Sequence, residues 1–147
     1  MKFIGAAIIL IGSVIAAYFY EKGIRERLRH TEEIISFITY VKSQIEYFSR
    51  PLNEIYSSYE KKSNYITELI KNNGENASIS KENDVLVKNF FSLIGKSYKK
   101  EEIRLCNYTI EQLFTSLTHF KLEIPNKIKI FRSISLFLGV CLIILII

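Results

Sequence analysis

Hydrophobic and polar positions alternate under three different rules along this chain. Residues 3–20 carry no charge, and neither do residues 133–147. Between these runs apolar residues return every three or four positions, the period of a helix with one buried face. A helix rises about 1.5 Å per residue, so Phe3 to Tyr20 reaches roughly 27 Å and Ser133 to Ile147 about 22 Å, against a hydrocarbon core of about 30 Å. The first run predicts a spanning helix. The second is short, but the long stems of Lys129 and Arg132 can snorkel and draw Ile130 and Phe131 into the acyl region, so it too is read as spanning. A cleaved signal peptide, with Ala16 and Ala17 before the cut, is the rival reading of the first run. The run's length, the single Lys2 ahead of it and the apolar tail of the remainder argue against that.

The middle is nearly all helical pattern, with little strand signal. A stripe of Ile34, Ile38, Val41, Ile45, Phe48 and Leu52 marks a helix packing lengthwise on another. Pro51 disfavours the helical region at Arg50, so this helix should end near Ser49 and a second begin at Pro51 and run to about Lys71. Residues 72–83, rich in Asn, Ser and Gly, have no period and read as the longest loop and the place for disorder. A short helix is expected over Asp84–Ile94, with Gly95 as its left-handed cap. Ser97 is placed to cap the last helix, whose stripe of Ile103, Cys106, Ile110, Leu113, Leu117, Phe120 and Ile124 is the cleanest in the chain. Pro125 should kink that helix or restart it. The expected fold class is all-α: a small helical bundle or helical hairpin, residues 23–132, between an N-terminal membrane helix, 1–22, and a C-terminal one, 133–147. Sustained stripes also seek partner helices, so homo-oligomerisation is expected. Gly5, Gly12 and Ala16 on one span, and Ser135 and Gly139 on the other, offer small-residue faces for helix contact.

Whole-chain averages of 48% hydrophobic and 24% charged residues resemble a globular protein and conceal this partition. All 15 acidic residues and all but one of the 20 basic ones lie in the middle. Lys22, Arg25, Arg27 and Arg29 come just after the first run, and Lys121, Lys127, Lys129 and Arg132 precede the second, against Lys2 on the other side. The positive-inside rule then puts the middle in the cytoplasm. These flanking cations, drawn to anionic inner-leaflet lipid, account for much of the +5 net charge without a nucleic acid, and no nucleic-acid partner is expected.

A search for chemistry yields no constellation. His30 and His119 are far apart in sequence and neither adjoins a cysteine, so no metal site is expected. Cys106 occupies a stripe position and suits a buried apolar role better than a nucleophile. There is no phosphate-cradling glycine loop. The neighbouring pairs Glu32–Glu33 and Glu101–Glu102 suit helix starts but do not converge on one reacting centre. The sequons at Asn76 and Asn107 would never meet the transferase from the cytoplasm. No catalytic residue and no cofactor is expected, and a membrane-tethered enzyme is the least supported class.

Three segments do carry a resemblance. Ile45-Glu46-Tyr47 with Pro51-Leu52 and Glu54 after it is similar to an Ile-x-Tyr-Gly-x-x-Pro-Leu-x-Glu segment. Leu93-Ile94-Gly95-Lys96-Ser97 is similar to a Leu-Gly-x-Ser turn before a long helix. Lys129-Ile130-Phe131-Arg132-Ser133 is similar to a Lys-x-Tyr-Arg-Ser entry into a final span. Together with the layout of the chain they resemble the stage III sporulation protein AB family. Phe48 stands where that family favours Gly, and Ser135 replaces a Gly.

The resemblance implies a non-catalytic subunit of the membrane complex joining mother cell and forespore during endospore formation. It also implies a soluble part similar to the inner-membrane platform domains of type II secretion. The implied partners are the lipid bilayer, a cytoplasmic ATPase of the sporulation complex and sibling membrane subunits, with the chain on the mother-cell side. The alternative is a membrane-anchored helical assembly factor of a division or secretion apparatus in vegetative cells. Pro51 reads as a rigid elbow with Tyr47 and Leu52 packed around it, and Gly95 and Arg132 as further structural positions. Glu46, Glu54, Arg25 and Arg29 are the expected partner contacts.

Overall fold

A computed structural model describes residues 2–146. The side chains of residues 2–4, 6, 143, 145 and 146 lie outside the described set, and with them the outermost parts of the two expected spans, 1–22 and 133–147. The chain is helical, with no strand among the described residues: α1 (Lys2–Ser43), a π-helical turn (Gln44–Phe48), α2 (Leu52–Tyr59), α3 (Asn64–Lys71), α4 (Lys81–Leu93) and α5 (Lys99–Ile146). It divides into two compact units, Arg27–His119 and Met1–Glu26 with Phe120–Ile147.

Unit Arg27–His119 is a helical bundle around a buried apolar core. Ile34, Phe37, Ile38 and Val41 of α1 are fully buried, with Ile55, Ile66, Val87, Cys106 and Leu113 from the other four helices. Phe37, absent from the stripe read off the sequence, is the aromatic centre. Its ring lies 5.0 Å from Tyr59 and 5.9 Å from both Tyr56 and Phe91. With Phe37 included, α1 buries positions i, i+3, i+4 and i+7, a face wide enough to meet a core rather than a single partner helix.

The stripe's last member departs from expectation. Phe48 is 62% exposed and Tyr47 75% exposed, so Tyr47 does not pack around the Pro51 elbow; Leu52 does, half-buried against the core. The cause is the π turn, in which the Ser49 N–H donates to the Gln44 carbonyl one position further back than an α-helix would use. One extra residue in a turn rotates the next side chains by about 100°, the angle per residue of a 3.6-residue turn. Ser49 then adopts a left-handed φ of 48° before extended Pro51.

The single helix expected over 51–71 is two. α2 ends at Tyr59, and Ser63, extended at φ −149°, accepts the Ile66 N–H to start α3. Its hydroxyl also donates to Glu33 at 2.9 Å. The expected loop 72–83 is shorter and packed: Ala77 and Ile79 are buried, Tyr65 donates its hydroxyl proton to the Ala77 carbonyl, and Ser80 caps α4 three residues earlier than predicted. Gly95 does take the left-handed region, at φ +81°. Ser97 does not cap α5; the Tyr98 carbonyl accepts from Glu101 and Glu102, and the helix begins at Lys99. Cys106, Leu113 and Leu117 are buried as the stripe predicts, joined by Thr109. The helix continues through Pro125 without a restart.

Unit Met1–Glu26 with Phe120–Ile147 is built differently. Tyr20 stacks on Phe131 at 4.0 Å, Glu21 pairs with Arg132, and a Cβ on Gly139 would touch Ser13 Oγ at 3.3 Å. The partner number rises as the residue number falls, so the two helix segments run antiparallel. Gly139 supplies a close approach, as the small-residue argument expects, but Gly5 and Gly12 have open space where a Cβ would go. Large apolar side chains such as Ile11, Phe19, Phe137 and Ile144 are exposed.

Candidate interaction surface

Two sequence-distant turns meet in the unit Arg27–His119. The elbow of Ser49, Arg50 and Pro51 faces the Ile94-Gly95-Lys96 turn across an open cleft of about 580 Å³. Its floor is apolar: Ile45 and Ile94 are buried and Leu52 half-buried. The backbone calls for Gly95, because an L residue resists φ +81°; a Cβ there would also push the tip of the Leu52 side chain aside. The turns are tied together by Lys99, whose Nζ donates to the Glu46 carbonyl at 2.8 Å and to Ser49 Oγ at 3.0 Å. The walls carry Arg50, Lys96 and Lys99 against Glu102. Exposed Tyr47, Phe48, Leu93 and Tyr98 belong to the same two turns, and the Arg50 guanidinium sits 5.4 Å from the centre of the Phe48 ring.

The expected partner contacts fall in separate places. Glu46 and Glu54 are exposed on either side of the elbow, on the π turn and on the first turn of α2. Arg29 is ion-paired with Glu33 at 3.4 Å beside a second cleft of about 350 Å³, which Lys62 and Ser63 also line. Arg25 belongs to the other unit and bonds Glu21 through Nε at 3.2 Å and Nη2 at 2.8 Å. Glu21 also pairs with Arg132. Sequence spacing missed Arg50, Lys96, Lys99 and Tyr98. Nothing in a linear pattern relates residues near 50 to residues near 97.

Groups that might carry chemistry are placed unfavourably for it. Cys106 is buried, and loss of hydration pushes its thiol up to about 12, so the thiolate is scarce at neutral pH. His30 stacks on Tyr65 with ring centres 4.0 Å apart, and its buried Nδ1 has no hydrogen-bond partner. No group of three His, Cys, Asp or Glu side chains arranged to hold a metal occurs among the described residues. Lys62 lies over the Tyr40 ring at 4.7 Å, engaged with its own fold.

One helix among the described residues, α1, is long and apolar enough to cross a membrane, and only 6% of its apolar window is buried. A core helix of that hydropathy would be mostly covered. Among the described residues the C-terminal part of α5 does not form a second helix of that kind. The fold and its surfaces thus define an all-helical, membrane-associated protein with an exposed two-turn cleft.

The family model for stage III sporulation protein AB matches residues 2–72 and 63–147, two stretches that overlap across α3 and together cover nearly the whole chain. The chain belongs to the stage III sporulation protein AB family, which carries a role in sporulation. Comparison with curated proteins and with solved structures finds no match.

Proposed function

We propose that the chain is a non-catalytic, two-pass membrane scaffold of the channel complex between mother cell and forespore. In this reading the helical unit Arg27–His119 lies in the mother-cell cytoplasm and docks an ATPase and sibling membrane subunits. Glu46, Glu54 and Arg29 of this unit, and Arg25 of the other, are the first candidate contacts.

The observation that carries the reading is the antiparallel apolar pair made by the start of α1 and the end of α5. Its outward side chains are apolar, a surface that water would penalise by about 25 cal/mol for each Å² and that lipid would not. Its edge holds the Glu21, Arg25 and Arg132 cluster beside the stacked Tyr20 and Phe131, the residue types favoured at a membrane interface. The second span therefore rests on pairing with the first as well as on its own hydropathy. A scaffold role is supported by surfaces suited to contact and side chains already engaged in structure.

Deleting the gene and counting heat-resistant spores tests the role. Loss of spores with normal vegetative growth, restored by the full chain, is the expected result. Unchanged spore counts with impaired growth would overturn it and return the vegetative division or secretion reading.

A further inference from the structure

We infer that the cleft between the Pro51 elbow and the Gly95 turn docks a partner segment that is aliphatic on one face and acidic beside it. This deepens the scaffold reading and rests on it, since a docking surface matters only if the chain holds partners. The floor of Ile45, Leu52 and Ile94 is an apolar strip that side chains of a second helix can cover. Three cations, Arg50, Lys96 and Lys99, line the walls against one carboxylate, Glu102. Arg50 and Lys96 form no ion pair among the described residues, and Lys99 spends two of its three donors on the Glu46 carbonyl and Ser49 Oγ. Carboxylates on the incoming segment would therefore meet cations that no carboxylate yet neutralises, Arg50 resting on the Phe48 ring and Lys99 on two uncharged oxygens.

The exposed aromatics of the two turns support the same choice. Tyr98 is 86% exposed, and Tyr47 and Phe48 are turned outward by the π turn. Exposed aromatic residues are the usual anchors of protein contacts. Lys99 and Gly95 hold the two walls in fixed register, so little ordering cost is left for binding.

The test uses the full chain in phosphatidylcholine nanodiscs, with empty discs as the control. Two fluorescent helical peptides share one leucine pattern and differ only in carrying glutamates or lysines on the polar face. The glutamate peptide should bind, and binding should weaken with salt. The double change Arg50→Glu with Lys96→Glu alters only exposed side chains. It should weaken the glutamate peptide about tenfold and favour the lysine peptide, as reversal of two exposed charges allows. The neutral pair Arg50→Ala with Lys96→Ala should fall between. Equal binding of both peptides, or a glutamate affinity indifferent to reversal, would overturn the assignment.

Spore counts separate this failure from failure of the scaffold reading. If deletion abolishes spores but the charge-reversed chain restores them fully, the cleft assignment falls and the scaffold stands. If deletion leaves spores intact, the scaffold reading falls first.

Discussion

The two units of this chain solve opposite burial problems with the same secondary structure. In Arg27–His119 the apolar residues point inward, and Phe37, Phe90 and Ile34 are almost wholly covered. In the unit made by the chain's two ends, Ile8, Phe19, Phe137 and Ile144 point outward. Aromatic rings show the same contrast. Around Phe37 they knit the helices into a core, whereas Tyr20 and Phe131 make a single stacked pair at the edge of an apolar hairpin. The difference teaches that helical periodicity alone does not report burial; the surrounding solvent decides which face is the stable one.

The comparison breaks most readily at the core. Phe37→Ala should cost about 3–5 kcal/mol by leaving a cavity among Tyr56, Tyr59 and Phe91, read by denaturant unfolding of the full chain in detergent. Phe19→Ala, at an outward position, should leave that transition in place. Equal losses would mean that the two units share one kind of core.

Gly95→Ala ranks next, at about 1–3 kcal/mol, because it forces a left-handed backbone on an L residue and pushes the tip of Leu52 aside. Gly5→Ala has open space and helical geometry, and should be neutral or stabilising by up to about 1 kcal/mol. Melting curves of the two variants, compared side by side, check the contrast.

Ser63→Ala should cost about 1 kcal/mol through loss of the α3 cap, and more if the bond to Glu33 matters independently. Hydrogen exchange in the first turn of α3 should rise before that of α1.

The smallest effect within the ordinary working range concerns protonation. Burial pushes both the Cys106 thiol and the Tyr56 hydroxyl up to about 12. The folded unit therefore holds protons that the unfolded chain releases from about pH 9 or 10 upward, so stability is flat at neutral pH and falls as pH rises toward 12. Denaturation midpoints at pH 7, 9 and 11 should show that order, and Cys106→Ser with Tyr56→Phe should lessen the fall without removing it, because burial also raises the Tyr65 and Tyr59 hydroxyls.

Much of this contrast is legible in the sequence. Uncharged runs at both ends, and stripes through Ile34 to Ile45 and Cys106 to Leu117, come directly from the period of the helix. The break between α2 and α3 is foreshadowed by the stretch without apolar residues between Tyr59 and Tyr65. Phe37 is hidden because a strict alternation of three and four residues is too narrow for a bundle face. Tyr47 and Phe48 are misplaced by the linear pattern because a π turn leaves no reliable mark in residue type. The cleft cannot be read at all: Lys99 reaches Ser49 across fifty positions, and only folding brings them together.

The most direct test of the two-solvent account is topology in living cells. Reporter fusions at Asn76 and after Ile147 should give a fluorescent, cytoplasmic protein at Asn76 and an active exported phosphatase after Ile147. An active phosphatase at Asn76 would contradict the account.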